Sequence, residues 1–170
     1  MILNEVCKMD LSKNNAPKEP EVYTEDKTMQ EMFLKTTGRL NRLRYFKRGL
    51  VVLLASLVIG FPALMIFSDE WGNLTSFGNL ISVIINLATF IPMYCLAVRR
   101  LHDLDKDETL AKIILGLGVV GIIMGMSNDD FSSMSAVEMI VYGIDSVICL
   151  YILFAPGTKG ENKYGPDPLG

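Results

Sequence analysis

A short string, Arg99-Arg100-Leu101-His102-Asp103, brings two guanidiniums, an imidazole and a carboxyl together. Guanidiniums fork onto phosphates and carboxylates, so Arg99, Arg100 and His102 suit an anionic ligand or an acidic partner. The same arginines also suit a purely structural role, capping a helix C-terminus against its dipole and snorkelling to headgroups. His102 and Asp103 form a conceivable acid–base pair, but not a good metal pair. The chain holds one histidine, and sequence neighbours on a helix point apart. Two further polar strings belong to the candidate site: Arg39 and Arg42 in Gly38-Arg39-Leu40-Asn41-Arg42, and Glu161, Asn162, Tyr164 and Asp167 near the C-terminus. Paired carboxylates, a Ser–His arrangement, a phosphate loop and a metal cluster are all missing from the pattern, so no catalytic residue, metal or cofactor is expected.

A second candidate lies in apolar sequence. Asp145 and Asn86 each interrupt a hydrophobic block at about 12 Å from its outer end, given ~1.5 Å per residue. A carboxylate at such depth costs ~2.5–3.5 kcal/mol on insertion scales, so Asp145 should face other helices and pair with Asn86. The pair reads as a polar clamp for helix packing, or alternatively as a proton or ion relay. Glu138, at the outer interface, is expected to be solvated.

The elements that position these residues follow from hydropathy. Half of the 170 residues are hydrophobic and 21% are charged, and the apolar residues come in blocks rather than at a soluble protein's period. Blocks at 50–67, 78–98, 110–126 and 137–154 predict an all-α membrane protein with four transmembrane helices arranged as two hairpins. Residues 1–28 read as a disordered tail, and Met29, Met32 and Phe33 as a short amphipathic helix. The four-helix membrane domain then runs over 29–168. Pro156, Gly157, Gly160, Gly165, Pro166 and Pro168 forbid a helix over 155–170, a tail expected to fold back and dock on the arginine–histidine string. Glu161 and Asp167 would meet Arg99 or Arg100 there. Gly121 and Gly125 form a GxxxG pattern that serves helix packing, within the bundle or between copies.

Charge sets the orientation. The loops at 68–77 and 127–136 hold Asp69, Glu70, Asp129 and Asp130 but no lysine or arginine. The cations lie before the first block, between the second and third, at the start of the third (Lys112), and after the fourth. The positive-inside rule therefore predicts both termini in the cytoplasm. The first apolar block starts too late for a secretory signal peptide. Cys7, Cys95 and Cys149 make no disulfide framework.

The strings GRLNR, RRLHD and GENKYGPDP resemble the YhaH-like family of small bacterial inner-membrane proteins, over roughly 33–168. The resemblance implies a bacterial inner-membrane location and a topology, but no activity, since the family is a domain of unknown function. Members often continue after RRLHD with a glycine–cation–Ser–Gly–Trp–Trp run, where this chain has Asp105-Lys106-Asp107-Glu108-Thr109. The function expected is a membrane-anchored interaction or assembly module, binding a protein partner or anionic lipid headgroups on its cytoplasmic face. The alternative is an oligomeric small transporter or channel using Asp145. The third is a membrane enzyme acting on a lipid headgroup. Without a basic stripe interleaved with aromatics, nucleic acid is not an expected partner.

Overall fold

The computed structural model describes residues 24–69, 74–125 and 135–169. Expectations for residues 1–23, for Glu70, Asp129 and Asp130, and for the packing of Gly125 lie outside the described residues. Within them the protein is all-helical, with five helices and no strand.

Helix α1 (Met29–Phe33) opens on a capping box. The Thr28 hydroxyl accepts from the Glu31 N–H, while the Glu31 carboxylate accepts from the Thr28 N–H. Helix α2 (Arg42–Phe67) starts at Asn41, whose side chain accepts from the Arg44 N–H at 2.9 Å. It begins well before the apolar block, because the basic stem continues the same helix. Helix α3 (Ser76–Asp103) is capped by Thr75 and runs past its apolar block to carry Arg99, Arg100, His102 and Asp103. Both helices keep a proline inside, Pro62 and Pro92. Helix α4 (Thr109–Gly125) follows, then α5 (Ala136–Phe154). Glu138 departs from expectation here. It is 3% exposed and completes a capping box with Ser135, accepting from the Ser135 N–H at 2.7 Å. The carboxylate therefore caps the start of the helix rather than sitting in water.

Helices α2, α3 and α5 are each long and apolar enough to cross a membrane. Helix α4 is apolar too, but has 17 residues, about 25 Å at ~1.5 Å per residue. Along the chain α2 packs on α3, α3 on α4, and α4 on α5, while α2 and α5 meet more briefly.

The buried core gathers at one end of the bundle, where α2 and α4 begin and α3 and α5 finish. Leu40, Tyr45, Leu96, Val98, Leu101, Ala111 and Ile152 form it. Away from that end the helices turn apolar side chains outward; Val58, Ile66 and Val147 are 73%, 71% and 67% exposed. So large a continuous apolar surface is untenable in water and natural in hydrocarbon. Two glycines of α4, Gly118 and Gly121, face inward. A Cβ on Gly118 would meet the Phe90 ring of α3, and one on Gly121 the Tyr142 ring of α5. Gly121 thus serves packing inside the bundle.

Candidate functional site

The polar end of the bundle is built around two buried carboxylates. Asp103, 3% exposed, accepts from Arg39 Nε at 3.2 Å and Nη2 at 3.0 Å through Oδ1, and from Arg100 through Oδ2. Arg39 and Arg100 are themselves 2% and 0% exposed. A buried guanidinium needs all of its donors satisfied, and the end of α5 and the C-terminal segment supply the remaining acceptors as backbone carbonyls. Arg39 donates to Thr158 O and Gly160 O, each at 2.5 Å, and to Gly165 O at 3.3 Å. Arg100 donates to Ile152 O at 3.0 Å and to Ala155 O. Asp103, Arg39 and Arg100 are thus a junction between α3, the start of α2 and the C-terminal segment.

That segment is held at further points. Thr158 donates its N–H and its hydroxyl to Asp103 O, at 2.8 and 3.0 Å. Asn162 Nδ2 donates to His102 O and to the Thr158 hydroxyl, both at 2.9 Å. The Tyr164 ring stacks on His102, with centroids 3.8 Å apart and planes 10° from parallel. His102 Nδ1 lies 3.2 Å from Gly38 O, so the proton sits on Nδ1 and is donated to that carbonyl. Gly38 has φ +81, the left-handed region in which a side chain is strained, and this turn presents its carbonyl to the ring. Gly157 is required by contact instead: a Cβ there would enter the Asp103 carboxylate. Gly157→Ala should therefore loosen the segment by about 1–3 kcal/mol. Faster amide hydrogen exchange over 158–165, without change in α2 or α3, is the expected result.

The second carboxylate, Asp26, lies within the stretch 1–28 expected to be disordered, yet it is buried and paired. Asp26 is 9% exposed and accepts from Arg99 Nη2 at 2.8 Å and Arg48 Nη1 at 2.7 Å. Burial pushes its pKa up, but the bonds and charges of Arg99 and Arg48 outweigh that and hold it below the usual carboxylate range. Arg99 also donates to Glu31 O at 3.1 Å, fastening α1 to α3.

The structure brings Arg39, Arg99, Arg100, His102, Asp103, Asn162 and Tyr164 together. The arginines turn inward onto Asp26, Asp103 and carbonyls rather than outward to an anion. Glu161 is exposed, and Asp167 accepts from Gly160 N–H at 2.8 Å and Leu169 N–H at 2.9 Å; neither meets Arg99 or Arg100. Those two backbone bonds hold Asp167 below the usual carboxylate range. Arg42 is exposed on the rim, 3.4 Å from Phe154 O. Sequence reasoning missed Asp26, Gly157 and Thr158; nothing local marks an acid or a turn residue as the partner of a distant arginine. Among the described residues no group of three or more His, Cys, Asp or Glu is placed to hold a metal.

Asn86 and Asp145 are not hydrogen-bonded to each other. Asn86 Nδ2 donates to Ser82 O of its own helix at 2.8 Å, while Asp145 Oδ1 is buried without a partner. The two share the wall of one cavity between α3, α4 and α5. Their matched depth sets them facing, but the cavity keeps them apart.

Residues 33–166 match the family described as protein of unknown function DUF805. The chain is 26% identical over 131 residues to inner membrane protein YhaH of Escherichia coli K12, covering 77% of this chain and 84% of that protein. It is 26% identical over 132 residues to inner membrane protein YhaI of the same strain, covering 78% and 84%. No solved structure matches it.

Proposed function

The chain belongs to the DUF805 family of unknown function, and from that premise we propose that it is an integral inner-membrane protein acting as a membrane-anchored interaction module. Its relatives are named inner membrane proteins, and its three long apolar helices fit that location. Crossing by α4 as well gives four spans. That parity puts every basic segment on one side, which the positive-inside rule assigns to the cytoplasm together with both termini. The short α4 is accommodated by local bilayer thinning and by Lys112 snorkelling at its start.

The observation that carries the functional reading is the closed polar end. A C-terminal segment full of turn formers is ordered there by a buried Arg–Asp junction, which a solvated tail would not need. The product is a rigid platform, half-covered by the His102–Tyr164 stack and rimmed by the exposed cations Arg42, Lys47, Lys106 and Lys159. Such a surface suits a protein partner, with the rim cations nearest α2 set for anionic headgroups. Purification in native membrane discs, with mass spectrometry of what accompanies the protein, tests this. A protein partner retained by the wild type and lost in Tyr164→Ala is the expected result. Recovery of lipid alone from both proteins would refute it. A second reading, an oligomeric transporter or channel, draws on the polar cavity around Asp145.

A further inference from the structure

The cavity between α3, α4 and α5 has a volume of about 440 Å³, within the range of small-molecule sites. Its polar wall comes from Asn79, Ser82, Asn86 and Asp145, and Phe90 and Tyr142 add aromatic rings. The rings are set by glycines: the tip of Phe90 fits against Gly118 and that of Tyr142 against Gly121, whose carbonyl accepts from the Tyr142 hydroxyl at 3.3 Å. Asp145 is nine residues into α5, about 14 Å from its start at ~1.5 Å per residue. Its Oδ1 is buried and unpartnered, and Oδ2 meets only the weak Cys149 thiol donor at 3.9 Å. No lysine or arginine lines the cavity, and no ion pair among the described residues reaches Asp145.

A lone carboxylate at membrane depth calls for a cation, and the lining decides which kind. A bare inorganic ion gathers a close shell of oxygens and would leave most of this volume unfilled. Aromatic rings beside a carboxylate and amide acceptors are the chemistry that recognises an alkylated ammonium group. We propose that this cavity binds a small organic ammonium ion. Asp145 supplies the counter-charge, Phe90 and Tyr142 pack the alkyl groups, and Asn86 orients the bound group. The site goes beyond the platform and depends on no transport, because equilibrium binding requires only the cavity.

The test is titration of the purified full chain, in discs of zwitterionic lipid, with tetraethylammonium chloride against sodium chloride at equal ionic strength. Saturable heat and a rising melting midpoint with tetraethylammonium alone are expected. Asp145→Asn should weaken the affinity about tenfold or more, and Tyr142→Leu several-fold. No saturable binding, an equal response to sodium chloride, stability that follows pH but not the ammonium ion, or unchanged affinity in Asp145→Asn would each overturn the site. If Asp145→Asn fails to fold, Tyr142→Leu and Asn86→Ala decide the matter, and unchanged affinity in both has the same force.

Discussion

Arg39→Ala should free the C-terminal segment while α2, α3, α4 and α5 stay folded. The side chain is 1% exposed, pairs with Asp103, and donates to three carbonyls between Thr158 and Gly165. Its removal strands a buried carboxylate beside Arg100 alone and takes the Arg39 donors from the Thr158 and Gly160 carbonyls, while Gly165 O keeps the Asn162 N–H at 3.1 Å. Breaking a buried pair by deleting one partner costs about 3–5 kcal/mol, enough to outweigh the Thr158, Asn162 and Tyr164 contacts that also hold the segment. Lys159 and Lys163 are exposed at its surface and provide the assay. Tryptic cleavage after both, in inside-out vesicles, should rise by orders of magnitude over the wild type. Arg39→Lys should be nearly as damaging, because an ammonium cannot span a carboxylate and several carbonyls at once. Wild-type protection in either variant would mean that the segment is held without the junction.

Asp26→Asn should undock the other flank. Asp26 is the carboxylate for Arg99 and Arg48, so neutralising it leaves Arg99 buried without a counter-charge, with the Glu31 carbonyl and at most one amide oxygen as acceptors. A loss of about 3–5 kcal/mol is expected, read as a lower melting midpoint in detergent and faster hydrogen exchange over 24–34. The pH dependence has a definite sign. The pKa of Asp26 is lower in the folded protein than in the unfolded chain. Its stabilisation is therefore complete above the unfolded value and disappears as pH falls through the folded one. Asp26→Asn should reproduce that acid loss at neutral pH and flatten the acid limb of the stability profile. Lys35→Ala is the contrasting control: Lys35 sits 4.0 Å from Asp26 with 41% of its side chain exposed, so its loss should cost less than about 1 kcal/mol.

Much of the helical layout was legible because hydropathy reports the bilayer. The blocks 50–67, 78–98 and 137–154, and the described residues 110–125 of the third, all fall on helices. Hydropathy does not report where a helix ends in water. Helix α2 reaches back to Arg42 and α3 runs on to Asp103, and these polar extensions carry the site. Capping residues were the available signal, with Asn41 and Thr75 marking the two starts. The partners of the arginines were harder. Acid side chains were the natural expectation, hence Glu161 and Asp167 for Arg99 and Arg100. The structure instead gives the C-terminal segment's backbone carbonyls to Arg39 and Arg100, and a carbonyl is carried by every residue, so no sequence pattern singles one out. Asp145 and Asn86 show the complementary limit. Equal depth was readable from helical rise, but whether two facing groups touch depends on the volume between them, here kept open by Phe90 and Tyr142.

The junction of Arg39, Arg100 and Asp103 also orders events in time. Its charged members are translated well before residues 155–165, which provide most of its acceptors. A growing chain that has already inserted its helices therefore holds two arginines and an aspartate that are only partly satisfied. Final closure is deferred until residues 155–165 have been made. A chain that stops short of Pro156 lacks the Thr158, Gly160 and Gly165 carbonyls that close over Arg39, while Arg100 keeps Asp103, Ile152 O and Ala155 O.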